Sequence, residues 1–146
     1  MGQLILFVAG LVIANFLEWG IHKYVLHELG KRRKSIFSFH WGIHHREARK
    51  NRFYDNSASA REIIGLAFLS LLFSPVYVLS PMVYTGMLSY VLAYYTLHSI
   101  AHKNPVFAYT YMRWHWDHHM GKDQNTNWCV VIPLADYALG TRKKYM

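Results

Sequence analysis

The chain is poor in cysteine and in acidic residues. Its 146 residues include one cysteine, Cys129, four prolines, and eight Asp or Glu against sixteen Lys or Arg, for a formal net charge of +8. A single cysteine excludes an internal disulfide framework and fits a reducing compartment. The length suits one compact domain, so we expect a single domain over residues 1–146.

Basic residues are absent from three long stretches, Gln3–Leu17, Ile63–Leu79 and Met82–Ala101. All sixteen Lys and Arg lie between or after these stretches, in runs such as Lys31–Lys34 and Arg46–Arg52. If the chain crosses a bilayer three times with its N-terminus outside, every basic residue falls on one face, as the positive-inside bias requires. The charge therefore indicates membrane topology, and we expect no nucleic-acid partner.

The apolar stretches predict helices from about Gln3 to Leu29, from about Arg61 to Leu79, and over Met82–His102. Asn56-Ser57-Ala58-Ser59 is expected to cap the second of these helices. We therefore expect an all-α integral membrane protein with about three transmembrane helices. A helical cap on the cytoplasmic side would carry the histidines and the C-terminus.

All ten histidines fall into four short clusters, and none is left over. In chain order the clusters are His22 and His27; His40, His44 and His45; His98 and His102; and His115, His118 and His119. Neutral imidazole is a good ligand for first-row transition metals. A tetrahedral zinc site takes only three or four protein ligands, so ten imidazoles indicate two metals with four or five nitrogens each.

The spacings within the clusters suit shared metals. Residues three or four apart lie on one face of an α-helix, so His98 and His102 can bind one metal. His115 can do the same with His118 or His119.

Two clusters have other spacings. The adjacent residues His44 and His45 point about 100° apart on a helix, so this cluster can serve two neighbouring metals. His22 and His27 are five residues apart and do not share a face of an ideal α-helix. Either they flank the site, or the helix loosens between them.

Three further candidate residues lie beside these clusters. Glu18 and Asp117 are candidates for orienting a ligand imidazole, with ordinary interfacial charges as the alternative. All five tryptophans fall at or beyond the inner membrane boundary, where they form an interfacial aromatic belt or line a substrate entrance beside the site. Trp41, within the second cluster, is the candidate for such a lining role.

The four clusters, together with Asn127-Trp128 and the segment Pro133–Thr141, resemble the fatty acid hydroxylase/sterol desaturase superfamily of membrane di-iron enzymes. The resemblance runs from about Glu18 to Arg142. It implies that all ten histidines ligate two irons, and that Tyr94 and Tyr95 lie close to the site. It also implies oxidation of an unactivated C–H bond on a lipid by dioxygen and two externally supplied electrons.

One cluster departs from the superfamily pattern, which commonly reads H-x-x-H-H where this chain has three residues between His40 and His44. The spacing of His98 and His102 is closer to fatty acid and sphingolipid 2-hydroxylases than to carotenoid hydroxylases. We therefore expect hydroxylation of a fatty acyl, sphingolipid or related apolar chain. The alternatives are a carotenoid hydroxylase or lipid desaturase with the same centre, and a non-redox membrane zinc protein.

The expected cofactors are two iron ions with dioxygen as co-substrate, and zinc can displace ferrous iron in purified samples. We expect a membrane lipid to reach the site through an apolar slot between the first and third helices. We expect no fused cytochrome b-type haem carrier within these 146 residues. The electrons are therefore expected from a separate protein, a ferredoxin or a cytochrome b-type carrier with its reductase.

Overall fold

A computed structural model describes residues 1–56 and 60–145, and in those ranges the regular secondary structure is entirely helical, with no strand. Ser57, Ala58 and Ser59 of the expected helix cap lie outside the described residues. The helices are α1 (Gly2–Gly20), π1 (Ile21–Leu29), π2 (His40–His45), α2 (Arg46–Lys50), α3 (Ala60–Leu72), α4 (Pro75–Leu79), α5 (Pro81–Lys103), α6 (Pro105–Tyr111), α7 (Arg113–Met120) and α8 (Leu134–Ala138). The expected all-α class is confirmed.

Two helical segments are long and apolar enough to cross a membrane: Gly2–Leu29, with 28 residues, and Ala60–Leu79, with 20. The third expected span, α5, has 23 residues and is about 35 Å long, which is sufficient in length. Its Tyr, Thr, Ser and His side chains lower its hydropathy, so it is not a third such segment among the described residues. On length and hydropathy together, the described residues thus contain two candidate membrane-spanning segments, and α5 remains a predicted span.

Helix α5 packs along α1 through two facing glycines. A Cβ atom at Gly10 would run into the backbone carbonyl of Val83, and one at Gly86 into that of Phe7. Small residues of this kind let membrane helices approach closely. The contact aligns the two helices so that the histidines at their C-terminal ends meet.

Two segments that carry histidines are π-helices. In a π-helix the backbone bonds run from residue i to i+5, so residues five apart lie close to one face. His22 and His27 lie in π1, and His40 and His45 lie in π2. The helix therefore loosens between His22 and His27, and the second cluster adopts the same geometry.

Buried polar residues of α1 dock the C-terminal segment onto this helix. Asn15 donates to the Tyr90 hydroxyl at 2.6 Å and accepts from the backbone N–H of Ala135 at 2.8 Å. Glu18 accepts from the backbone N–H of Val130 at 2.7 Å and from the Tyr90 hydroxyl at 2.5 Å. Because a buried polar group without partners is costly, these bonds define where the segment lies.

Asp136 shapes the docked segment from within. It is fully buried and accepts hydrogen bonds from the backbone N–H groups of Trp128 and Cys129, both at 2.9 Å, and from the Thr141 hydroxyl at 2.6 Å. The turn that results directs backbone carbonyls toward the histidines.

We predict that Gly86→Ala destabilises the protein, because the added methyl group meets backbone that has no free rotamer to move away. Overpacking of this kind costs about 1–3 kcal/mol. The thermal unfolding midpoint in detergent should fall for this variant. It should not fall for Gly65→Ala, where a Cβ atom has nothing within 4 Å. Equal midpoints for the two variants would contradict the packing account.

Candidate metal centre

All ten histidines are buried, and nine of them form two groups of potential metal ligands. Group A consists of His22, His27, His40, His45 and His118, and group B of His44, His98, His102 and His119. Within each group the candidate ligand atoms lie within 4.8 Å of one another.

The tenth histidine, His115, adjoins group B. Its Nε2 atom is 3.1 Å from Nε2 of His102. Its ring centroid is 4.8 Å from that of His119 and 6.3 Å from that of His118. Of the two partners that the spacing allowed, His119 is therefore the nearer.

Adjacent histidines divide between the two groups. His45 belongs to group A and His44 to group B, while His118 belongs to group A and His119 to group B. This is the divergence expected for neighbouring positions on a helix, and it brings the two groups into contact. The rings of His45 and His119 stack with centroids 4.2 Å apart.

Three imidazoles are oriented by backbone carbonyls, which accept hydrogen bonds from Nδ1. His22 donates to Trp128, His102 to Phe53 at 2.9 Å, and His118 to Thr126 at 2.7 Å. A carbonyl oxygen can only accept, so Nδ1 carries the proton in each ring. In the neutral imidazole Nε2 then presents a lone pair to the cluster.

Two further imidazoles are oriented by carboxylates that sequence reasoning missed. Asp55 contacts Nδ1 of His44 and Glu62 contacts Nδ1 of His98, both at 2.7 Å. The Nε2 atoms of His44 and His98 are buried and have no hydrogen-bond partner among the described residues. Carboxylate–histidine pairs of this kind orient metal ligands and raise their basicity.

The inward-facing nitrogens lie close together. Nε2 of His22 is 2.9 Å from Nε2 of His40, and Nε2 of His45 is 3.0 Å from that of His27 and 3.1 Å from that of His118. Two nitrogens at 2.0–2.1 Å from one metal and at right angles to each other are separated by about 3 Å. Imidazole nitrogens that converge at this spacing, together with the partnerless Nε2 atoms of His44 and His98, fit metal binding by both groups.

Burial keeps the imidazoles of the cap neutral. Desolvation lowers the pKa of His118 to about 3, and it lowers the pKa values of His40 and His45 well below their usual range, with neighbouring imidazoles adding to the effect. The neutral form is the one that binds metal, so these side chains are available as ligands at pH 7.

The aromatic candidates lie on different sides of the cluster. Tyr94 stacks on His98 with ring centroids 5.3 Å apart. Trp41 packs against His27 and His45, at 5.0 and 5.3 Å. Tyr95 lines a small recess with Asp55 and Glu62.

Glu18 and Asp117 do not have the role considered for them. The two carboxylate oxygens of Asp117 accept from Arg113 at 3.0 Å and from Arg142 at 3.1 Å. Those of Glu18 accept from Val130 and Tyr90, as described above. Both carboxylates hold the C-terminal segment, and the imidazole-orienting role belongs to Asp55 and Glu62.

Phe53 is a further residue that contacts the histidine cluster and that the sequence did not indicate. Its ring lies between those of His102 and Trp116, at 4.5 and 4.8 Å and nearly parallel to both. Arg52 and Phe53 have φ values of 54° and 80°, in the left-handed region that non-glycine residues rarely adopt. Contacts with the histidine cluster stabilise this strained turn, which also supplies the carbonyl that orients His102.

A cavity of about 630 Å³ lies against the cluster, enclosed mainly by apolar side chains of α1, π1, α3 and α5. The expected slot between the first and third helices is therefore present, and α3 forms a further wall. At its polar end the cavity is lined by two histidines of each group: His22 and His40 of group A, and His44 and His98 of group B.

The described residues thus combine helices apolar enough to span a membrane, a buried histidine cluster that could hold metal ions, and an adjoining apolar cavity. The family model described as fatty acid hydroxylase matches residues 7–141, so the chain belongs to the fatty acid hydroxylase family. This family is membrane-associated and implies an oxygenase-type enzyme. No curated protein and no solved structure matches the chain.

We predict that Asp55→Asn and Glu62→Gln weaken metal binding, because an amide no longer fixes the proton on Nδ1 of the adjacent imidazole. Loss of such a partner lowers metal affinity by roughly 10–100-fold. Competition with a chelator for bound metal measures the effect. Glu47→Gln, which changes a carboxylate paired with Arg46, serves as the control. Equal affinities in all three variants would exclude an orienting role.

Proposed function

We propose that the protein is a dioxygen-dependent lipid hydroxylase with two iron ions held by its ten histidines. Group A would hold one iron, and group B together with His115 the other. The proposal rests above all on one observation: a single apolar cavity is lined by histidines of both groups. A bound apolar chain would thus lie beside both metal positions.

Iron bound here would supply dioxygen activation and an oxidant able to take hydrogen from an unactivated carbon. In hydroxylation one oxygen atom enters the C–H bond. The other leaves as water after uptake of two electrons and two protons. The electrons would come from a separate carrier protein, a ferredoxin or a cytochrome b-type protein with its reductase.

The chain's own residues would act by orientation and exclusion. Asp55, Glu62 and the three backbone carbonyls fix which nitrogen of each imidazole faces inward. The apolar walls keep water from the carbon to be oxidised. No acid or base side chain other than the ligands is needed to carry the reaction.

The cavity suggests how the lipid lies. Its lining extends along α5 from Tyr84 to His98, about 21 Å of helix. This exceeds the roughly 15 Å of one leaflet of the hydrocarbon core, so a whole acyl chain fits along it. A lipid with its methyl end at the histidines would leave its polar head in hydrocarbon, which is costly. We therefore propose oxidation near the polar end of a fatty acyl or sphingolipid chain.

In this proposal, the distribution of Lys and Arg determines which side of the membrane the histidine cluster faces. The histidine cluster and the C-terminal segment would lie at the cytoplasmic surface, where the exposed basic runs satisfy the positive-inside bias. A carotenoid hydroxylase or a desaturase would use the same centre, and analysis of the product distinguishes these reactions. A zinc protein would show no dioxygen dependence.

We predict that His98→Ala and His118→Ala each lower the iron content of detergent-purified, iron-loaded protein, because they remove ligands from group B and group A respectively. Each variant should retain the iron of the intact group. Elemental analysis measures this. Tyr24→Phe, at an exposed ring outside the cluster, should not change the content. One metal per chain in the wild type, or content unaffected by both substitutions, would exclude a two-iron centre.

We predict that Gly65→Phe abolishes lipid turnover without lowering iron content. Gly65 lines the cavity, and a Cβ atom added there meets nothing within 4 Å, so we expect the ring to enter the lipid's path without displacing the helix. Product formation from added lipid is the measurement. Ile64→Phe adds an aromatic ring to the adjacent position, which is exposed and not part of the lining, and is the control. Equal turnover in the two variants would place the substrate elsewhere.

A further inference from the structure

Trp41 lies between the protein surface and the histidines of group A. It is half-buried, and its ring packs on two members of the group, His27 and His45. The ammonium of Lys31 lies over the same ring, 4.4 Å from its centroid. Neither His27 nor His45 lines the lipid cavity, so this contact reaches the cluster from the side away from the substrate.

The surface around Trp41 carries more basic than acidic residues, and the exposed acidic residues on the same segments are Glu28 and Asp123. Lys31, Arg32, Arg33, Lys34, Arg46 and Lys122 are exposed there or on the adjoining segments, and we call them the basic collar. Lys31 also donates to Asn125 of the C-terminal half, so it is held beside Trp41. A collar of one sign attracts an acidic protein and accelerates its encounter.

A second aromatic path reaches the cluster by a longer route. Exposed Tyr109 contacts Trp116 at 5.3 Å, Trp116 stacks on Phe53, and Phe53 stacks on His102. Three rings thus separate the surface from group B, whereas the single ring of Trp41 separates it from group A. Electron transfer weakens steeply with distance, so the shorter connection is favoured.

We propose that Trp41 and the basic collar form the docking and electron-transfer contact for an acidic one-electron carrier protein. This inference rests on the proposed function. Each docked carrier is oxidised by one electron, and two carriers per turnover supply the pair that, with two protons, reduces one oxygen atom to water. Anionic lipid headgroups would also bind a basic surface, but they give no reason for an aromatic ring between Lys31 and two histidines of group A.

The test uses the full chain, iron-loaded, in nanodiscs of uncharged lipid, with a reduced plant-type ferredoxin as the probe. The variants are Lys31→Glu/Arg33→Glu, which reverses charge at the surface, and Trp41→Leu, which removes the ring. The control is Lys23→Glu, because Lys23 lies over Trp19 in a similar way, 4.7 Å from its centroid. The ring of Trp19 contacts Tyr24 and stacks on no histidine among the described residues.

Ferredoxin affinity and the rate of ferredoxin oxidation are measured together with iron content. The charge reversal should weaken ferredoxin binding about tenfold at low salt and much less at high salt, because added salt screens the interaction. Trp41→Leu should slow ferredoxin oxidation more than it weakens binding. Reduction by dithionite, a small reductant that needs no docking surface, should remain as in the wild type for both variants.

Normal ferredoxin oxidation in both variants, or equal slowing by Lys23→Glu, would overturn the proposal. If the charge reversal acts only in nanodiscs that contain anionic lipid, the collar is a membrane contact instead. Iron content reports on the proposed function separately, as does a single turnover of lipid oxidation in protein that is reduced by dithionite, freed of the reductant and then exposed to dioxygen. If the wild-type protein holds no iron and oxidises no lipid, the proposed hydroxylase function is refuted, and not only the proposed docking site.

Discussion

The burial of ten imidazoles in one cluster is the constraint on which the rest of the structure depends. A neutral imidazole has one donor and one acceptor nitrogen, and a buried polar atom without a partner destabilises the fold. Nδ1 of several rings is paired with a carboxylate or carbonyl at the periphery, so Nε2 is left facing the interior. Several imidazole nitrogens have no hydrogen-bond partner in the part of the chain that the structure describes, and bound metal ions would complete the cluster.

Several otherwise unfavourable local conformations serve this cluster. Two π-helices, which are rare, bring histidines five residues apart onto one side. The strained turn at Phe53 supplies both a ring and a carbonyl to His102. Asn127, with a φ of 59°, sits between Thr126 and Trp128, whose carbonyls orient His118 and His22. Conformations of this cost persist where the surroundings over-determine them, which is typical of functional sites.

The sequence predicted what depends on spacing within one helix and missed what depends on contacts between elements. Histidine spacing alone indicated that the cluster with His44 and His45 could serve two neighbouring metals. It left two possibilities for His22 and His27, that they flank the site or that the helix loosens between them. Asp55 and Glu62 give no such signal, because they approach the imidazoles from a turn and from α3. Glu18 and Asp117 adjoin histidine clusters along the chain, yet both hold the C-terminal segment. Proximity along the sequence therefore did not predict which carboxylate contacts which imidazole.

Under the proposed function, the histidine cluster lies between the lipid substrate and the electron donor. On the apolar side, His22, His40, His44 and His98 face the cavity that would hold the lipid. On the polar side, Trp41 touches His27 and His45, beneath a surface rich in Lys and Arg. Electrons would enter from water and the lipid from the membrane, and the metals would lie between them. Because π1 and π2 each contribute a histidine to both sides, a shift of either helix would disturb lipid access and electron supply together.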